Sequence, residues 1–89
     1  MAIKNKEVLL KEKEFTKIAN PDEEFIATFK RPGQIVYMIL TGDDNKPDVS
    51  NIDISTRLKS SDVIHSDLPC ISDSYVWVAS ASSAIVTKG

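Results

Sequence analysis

A run of six consecutive apolar residues in the middle of the chain limits its possible folds most strongly. Residues 35 to 40 are Ile-Val-Tyr-Met-Ile-Leu, and they follow the turn-forming Arg31-Pro32-Gly33. The run is too short for a buried helix, and its β-branched and aromatic residues favour a strand from Gln34 to Thr41. Both faces of this strand are apolar, whereas a strand in a simple two-sheet sandwich exposes one face to water. We therefore expect the N-terminal residues or another subunit to cover the second face.

Alternation of side chains predicts further strands on both sides of this run. Phe25, Ala27 and Phe29 share one face of a strand from residue 24 to 30. The segments 74 to 80 and 84 to 88 alternate in the same way, and residues 80 to 83 have the length of a four-residue hairpin turn between them. Shorter strands are expected at residues 51 to 58, with Ile52 and Ile54 facing inward and Leu58 as a further candidate, and at residues 63 to 64.

The first twenty residues are rich in Lys and Glu and allow two structures. Residues 4 to 17 could form one charged helix, or an extended arm that leads into a short strand at residues 15 to 18. The extended arm fits better, because positions 11 to 14 are all charged and interrupt the apolar stripe of a helix. The sequence thus predicts an all-β protein. It consists of a small antiparallel β-sandwich or barrel at residues 21 to 89, preceded by a charged N-terminal arm at residues 1 to 20 that is extended or a short helix.

Length and charge restrict the partners. Eighty-nine residues suit one domain, and the formal net charge of −2 lacks the basic surplus that duplex nucleic acids require. No apolar stretch approaches the length of a membrane helix, and the run Val8-Leu9-Leu10 is too short for a secretion signal. We expect a soluble protein made in the cytoplasm, with no nucleic acid, membrane or small-molecule substrate among its partners.

Catalytic and metal-binding patterns are weak. His65 is the only histidine and lies five residues before Cys70, the only cysteine, in a segment that is typical of a surface connection. No glycine-rich oxyanion loop accompanies them, so we expect neither a catalytic dyad nor any other enzyme site. A single cysteine also excludes an internal disulfide. The sequence predicts no cofactor.

The acidic loop after residue 42 superficially resembles a calcium-binding loop. An EF-hand loop that begins at Asp43 would need an oxygen ligand at its fifth position, Gly at its sixth and Glu at its twelfth. The chain has Pro47, Asp48 and Ile54 at these positions. A solvated acidic turn is the simpler interpretation. A looser cation site that uses Asp43, Asp48 or Asp53 stays open as an alternative.

Tyr75 and Trp77 lie two residues apart on one strand face, which permits several roles. Core packing is the simplest, and an interface anchor or a sugar-stacking platform are the alternatives. Stacking of single-stranded nucleic acid on Tyr37, Tyr75 and Trp77 is not favoured, because no basic residues alternate with these aromatics along their strands.

The last third of the chain resembles small virion proteins of tailed bacteriophages. The residues concerned are Asp67-Leu68-Pro69, then 75 to 80 (Tyr-Val-Trp-Val-Ala-Ser), a Ser/Ala turn, and 84 to 87 (Ala-Ile-Val-Thr). The resemblance covers residues 67 to 87 and, more loosely, 25 to 40. It implies a compact β-sandwich that ends in a closing β-hairpin, and a role as a head-decoration, head-fibre or tail-accessory subunit.

We therefore expect a structural protein located in the virion, which contacts other virion proteins and forms a homo-oligomer. The alternatives are a carbohydrate-binding or adhesion module and a small phage regulatory protein that binds one host protein. The predicted interface residues are the apolar residues of the arm and of the outer strand faces, namely Phe15, Ile18, Ile35, Tyr37, Ile39, Tyr75 and Trp77.

Overall fold

The computed structural model describes residues 3 to 68 and 71 to 88, and these form two antiparallel sheets of four strands each. The first sheet has the strand order β1-β8-β3-β6 and the second has the order β2-β7-β4-β5. This confirms the predicted all-β fold and its sandwich form. The strands are β1 (Lys4–Val8), β2 (Thr16–Ala19), β3 (Phe25–Phe29), β4 (Ile35–Thr41), β5 (Thr56–Lys59), β6 (Ile64–His65), β7 (Tyr75–Ser80) and β8 (Ala84–Lys88), with a 3₁₀ helix at Val49–Ile54.

The strongest alternating segments fold as predicted. Strands β3, β4, β7 and β8 all lie within one residue of the limits expected from the sequence. In β3 the buried residues are Phe25 and Ala27, and exposed residues alternate with them. Two-residue periodicity therefore located β3, β7 and β8, and the unbroken apolar run located β4.

The main core lies between the two sheets. Val36 of β4 and Val76 and Val78 of β7 face it from the second sheet, while Ala27 of β3 and Val86 of β8 face it from the first. Residues from the connecting segments complete it. The buried members of this cluster are Leu10, Ile18, Ala19, Phe25, Ala27, Val36, Ile64, Ile71, Val76, Val78, Ala84 and Val86.

A second, smaller cluster lies on the opposite face of the second sheet. Its buried members are Phe15, Trp77 and Ala79, and the partly buried residues around them are Tyr37, Ile39, Ile52 and Tyr75. Strands β4 and β7 are therefore packed on both faces, as the apolar run at residues 35 to 40 requires. The chain itself provides much of the cover, through Phe15 before β2 and Ile52 of the 3₁₀ helix.

The predicted hairpin between residues 74 and 88 is wrong. Strand β7 belongs to the second sheet and β8 to the first, so the segment between them crosses from one sheet to the other. The two-residue hairpin turns that join paired strands most tightly usually require glycine, and none is present here. The missing glycine is consistent with a crossing connection, although the strand pattern is the same in both arrangements.

Buried serine side chains satisfy the backbone of this crossing connection. Ser82 Oγ accepts a hydrogen bond from the backbone N–H of Arg31 at 2.8 Å and donates to the carbonyl oxygen of Ser83 at 3.2 Å. Ser80 Oγ donates to the carbonyl oxygen of Ile35 at 3.1 Å and accepts from the N–H of Ser82 at 3.1 Å. The hydroxyls thus join the β7–β8 connection to the neighbouring β3–β4 connection.

The N-terminal residues are not a separate arm. Strand β1 pairs with β8 along residues 4 to 8, and β2 pairs with β7, so both strands belong to the sandwich. The described residues of this segment form two strands joined through a turn at residues 11 to 14, which an isolated bridge between Lys11 and Glu14 closes, and the alternative charged helix is not formed. Strand β2 at Thr16–Ala19 corresponds to the short strand expected at residues 15 to 18.

The strand predicted at residues 51 to 58 begins later than expected. Residues 49 to 54 form the 3₁₀ helix, because the Asp48 side chain caps it by accepting a hydrogen bond from the N–H of Ser50 at 3.0 Å. Ile52 packs against the second cluster, whereas Ile54 is exposed and does not face inward as predicted. Only Thr56–Lys59 pairs with β4.

Substitution of Ser82 by alanine tests the role of the serines in the crossing connection. The change leaves the N–H of Arg31 without its acceptor, so we expect the free energy of unfolding to fall by about 1–2 kcal/mol. Ser83→Ala is the matched control, because the Ser83 hydroxyl has no hydrogen bond among the described residues and only its carbonyl is used. Urea denaturation of both variants provides the measurement, and equal losses would contradict the assignment.

Phe15 closes the second cluster and is 1% exposed. Phe15→Ala should lower the free energy of unfolding by about 3–5 kcal/mol through lost apolar burial and a cavity. Leu9→Ala should change it little, because Leu9 is 73% exposed. If Phe15→Ala does not fold, the smaller change Phe15→Leu gives a measurable intermediate. A loss for Phe15→Leu no larger than that for Leu9→Ala would show that the second cluster does not stabilise the fold.

Candidate interaction surface

Side chains hold in place the loop that leads from β4 to the 3₁₀ helix. Residues 42 to 48 follow β4, and two lysine–carboxylate pairs join them to the N-terminal segment. Lys17 Nζ lies 2.8 Å from Asp44 Oδ1, and Lys46 pairs with Glu14. Such exposed pairs contribute little stability individually, so they fix the position of the loop more than they strengthen the fold.

The lysines around Glu14 favour the ionised form of its carboxyl group. The hydrogen bond from Lys46 and the positive charges of Lys11 and Lys46 lower the pKa of Glu14 below its ordinary value. The group therefore stays ionised, and the pair with Lys46 is maintained, into more acidic solution than an isolated glutamate would allow.

Three of the seven predicted interface residues are buried within the chain. Phe15, Ile18 and Trp77 are 1%, 4% and 6% exposed, and the indole Nε1–H of Trp77 donates to Thr41 Oγ1 at 2.8 Å. Their apolar area and the polar atom of Trp77 are already used inside the subunit. These three residues can stabilise a binding surface, but they are too buried to contact a partner.

The burial of Trp77 also removes its indole ring as a sugar-stacking platform. A stacking platform needs an open ring face, and the indole is covered by the second cluster. The half-buried ring of Tyr75 has the Lys17 ammonium 5.4 Å from its centroid, and that of Tyr37 has the Arg57 guanidinium at 5.9 Å. The sequence did not indicate these contacts, because neighbouring strands supply the cations.

The remaining predicted residues are accessible in different degrees. Tyr37, Ile39 and Tyr75 are half-buried at the rim of the second cluster, and Ile35 at the start of β4 is 54% exposed. Ile35 therefore presents the largest exposed fraction among the seven. It lies where the cover of the second sheet stops.

A groove of about 410 Å³ begins at Ile35, and we call it the Ile35 groove. Tyr37 and Ile52 line it together with Ile35, and small residues from the sheet-crossing connection form its end. Charged side chains at residues 12 and 13 lie at its margin. The complete lining is Glu12, Lys13, Gly33, Gln34, Ile35, Tyr37, Ile52, Ser80 and Ala81. An apolar centre with a charged margin is the usual composition of a protein–protein contact.

The outer face of the first sheet differs from this surface. Ile26 on β3 is 51% exposed, but its strand neighbours on either side are Thr87 and His65. Ile26 lines a depression together with the exposed Ile3 and with residues that are mostly polar, among them His65 and Thr87. Because its exposed fraction is close to that of Ile35, Ile26 is a suitable control for substitutions of Ile35.

The structure gives no support to a metal site among the described residues. No group of three or more potential ligands lies together there. Asp48 is used as the helix cap, and Asp43 Oδ1 accepts a hydrogen bond from the N–H of Asn45 at 3.2 Å. His65 is half-buried on β6, and its suggested companion Cys70 lies outside the described residues.

A second depression, which sequence reasoning missed, separates the edge strands β1 and β2. It has a volume of about 550 Å³, and four lysines line it, so we call it the lysine crevice. The sequence does contain one sign of it, because Lys4, Lys6 and Val8 alternate along one face of a strand. The high content of Lys and Glu in this segment predicts an arm instead. The lining residues are Lys4, Asn5, Lys6, Val8, Lys17, Ile18, Val86 and Lys88.

One lysine of the crevice is tied to the turn between β2 and β3. Lys88 Nζ lies 3.1 Å from Glu23 Oε2, and Glu23 Oε1 accepts hydrogen bonds from the N–H and Nδ2 of Asn20 at 2.6 and 3.0 Å. Burial raises the pKa of Glu23, but the bonds from Asn20 and the charge of Lys88 outweigh it and lower the pKa overall. The ionised carboxylate is therefore the form that the fold favours.

Comparison with known proteins gives no relative. No protein-family model matches the chain, no curated protein matches it in sequence, and no solved structure matches it. Among the described residues, no helix combines the length and hydrophobicity needed to cross a bilayer. The surfaces described above are therefore the basis for a functional proposal.

The lowered pKa of Glu23 predicts a pH-dependent contribution to stability. Its folded pKa lies below its unfolded value, so the contribution is present above the unfolded pKa and is lost as the pH falls through the folded pKa. Glu23→Gln should thus be less stable than the parent near neutral pH, by under about 1 kcal/mol, and this difference should shrink in acid. Urea denaturation across the acidic range measures it.

The control for this experiment is Glu24→Gln. Glu24 is exposed and has no hydrogen bond or ion pair among the described residues, so its substitution should shift stability little at any pH. A difference for Glu23→Gln that stays constant as the pH falls would show that the carboxylate charge is not what stabilises the turn.

Proposed function

We propose that this chain is a structural subunit that acts through protein–protein contacts, and that it serves in the virion of a tailed bacteriophage. In that role it would be a head-decoration, head-fibre or tail-accessory protein that assembles with other virion proteins and with copies of itself. The observation that carries the proposal is the Ile35 groove, where the cover of the second sheet is incomplete.

The incomplete cover supports binding because the chain hides the neighbouring apolar residues and leaves this site open. Phe15 and Ile52 close the second cluster over Trp77, but their cover does not extend over Ile35. Burying the exposed half of an isoleucine side chain contributes about 1 kcal/mol. A stable contact needs about 800 Å² on each partner, so the groove would be the centre of a larger surface.

The phage assignment rests on the resemblance of residues 67 to 87. Two of its strands, β7 and β8, are present with the aromatic residues on the first. Their connection is a crossing between sheets and not a closing hairpin, so the part of the resemblance that supports the proposal is the strand pattern and the compact sandwich.

Substitution of Ile35 tests the contact directly. We expect light scattering to show that the parent chain self-associates at micromolar concentration. Ile35→Ser should weaken this association about tenfold, because the substitution removes an apolar side chain from the centre of the surface. Ile26→Ser is the matched control, since Ile26 is similarly exposed on the other sheet. Circular dichroism establishes that both variants retain the fold.

Three outcomes would contradict the proposal. A parent chain that remains monomeric and binds no phage particle would exclude a structural role in assembly, and a monomer that captures one host protein would favour the regulatory alternative. Mass spectrometry of purified particles from a phage that encodes the chain tests its location, and its absence from those particles would exclude the virion.

A further inference from the structure

The lysine crevice lies between two strands that each have an unpaired edge. Strand β1 has β8 as its neighbour and β2 has β7, so among the described residues both are at the ends of their sheets. Every second residue of such a strand directs its N–H and carbonyl groups away from the sheet. The crevice is therefore bordered on two sides by backbone donors and acceptors that can pair with an added strand.

The side chains of β1 determine which kind of strand can pair with its free edge. Lys4 and Lys6 lie on the same strand face as the half-buried Val8, which packs against the main core. On the opposite face, Asn5 accepts a hydrogen bond from Thr87 Oγ1 at 2.6 Å, and Glu7 pairs with Lys30. Lys4 and Lys6 thus face the crevice, where the side chains of an added strand would meet them.

The charges of these two lysines are not neutralised within the subunit. The other two lysines of the crevice have acidic partners, Asp44 for Lys17 and Glu23 for Lys88. No ion pair or hydrogen bond among the described residues involves the ammonium group of Lys4 or Lys6. Two like charges at this spacing oppose pairing with an apolar strand or with β1 of a second copy.

We infer that the crevice binds an extended peptide segment that carries acidic residues at alternate positions. The segment adds to the free edge of β1, its acidic side chains lie opposite Lys4 and Lys6, and an apolar side chain lies over Val8. In an antiparallel arrangement the segment has the order apolar-x-acidic-x-acidic, because its residue opposite Val8 comes first. This site is separate from the Ile35 groove, and the inference does not depend on the proposed function.

A peptide explains more of the site than a small anionic amphiphile does. An amphiphile would use the lysine ammonium groups and the apolar floor, but the floor residues Ile18 and Val86 are almost fully buried and offer little area. An added strand also uses the backbone of β1, and main-chain hydrogen bonds are the principal source of affinity when a peptide extends a sheet. Only the strand matches the two-residue spacing of the lysines.

The test is a titration of the full chain with synthetic peptides, followed through its backbone amide resonances by NMR. The probe TVTETET has the expected order, and TVTKTKT is its charge-reversed counterpart. We expect TVTETET to shift the amides of residues 4 to 8 most, and its affinity to fall as salt is added, because the charges are exposed. TVTKTKT should produce no such shifts.

Substitutions then test the two lysines. Lys4→Glu combined with Lys6→Glu should weaken the binding of TVTETET about tenfold, because two attractive cross-strand pairs become repulsive. Arg31→Glu combined with Lys59→Glu is the matched control, since both side chains are exposed, lie outside the crevice and the Ile35 groove, and form no ion pair among the described residues. It should leave affinity within about twofold. If the glutamate variant does not fold, the glutamine pair at residues 4 and 6 replaces it.

Three results would overturn the inference. The first is equal binding of TVTETET and TVTKTKT, and the second is equal weakening by the double substitution at residues 4 and 6 and by its control. The third is a response of the crevice resonances to dodecanoate with none to TVTETET, which would identify the site as one for anionic amphiphiles. None of these depends on whether the chain self-associates through Ile35.

Discussion

The fold depends on the burial of strands β4 and β7 from both sides. Val76 and Val78 face the main core, while Trp77 and Ala79 face the second cluster. A two-layer sandwich supplies only one cover for a sheet, so a further layer must come from outside the sheets. Here the residue before β2 and the 3₁₀ helix after β4 supply it. The loop that carries the helix, its charged tethers and the place where the cover ends at Ile35 all follow from that requirement.

Much of the fold was predictable because short-range patterns determine it. Alternating residues located β3, β7 and β8, while the doubly apolar run at 35 to 40 located β4 and correctly indicated that a second cover was needed. The connections were harder to predict. A strand pattern is the same whether its neighbour in sequence pairs with it or lies in the other sheet, so β7 and β8 were assigned to a hairpin. Likewise, the Lys/Glu-rich start of the chain contains few apolar residues, and its pairing as β1 depends on β8, which is about eighty residues away.

The candidate surfaces were predictable only in part. The sequence predicted Tyr37, Ile39, Tyr75 and Trp77 as interface residues, with core packing as the simplest role for the last two, but which of them remain accessible depends on where Phe15 and Ile52 pack. Those are long-range contacts that no local pattern specifies. The lysine crevice illustrates the same limit, since its four lysines come from three strands of two sheets. What local sequence does contain is the alternation of Lys4, Lys6 and Val8, and it becomes informative only once β1 is known to be an edge strand.

The pairing of β1 with β8 has a consequence for how the chain folds during synthesis. Strand β8 lies between β1 and β3, so these two strands cannot be joined in one sheet until β8 has been synthesised. Nearly all links between consecutive strands cross from one sheet to the other, which makes most contacts distant in sequence and folding comparatively slow. A growing chain must therefore expose the apolar faces of β3, β4 and β7 while it is attached to the ribosome. Exposed apolar faces are prone to aggregation, which competes with folding during that period.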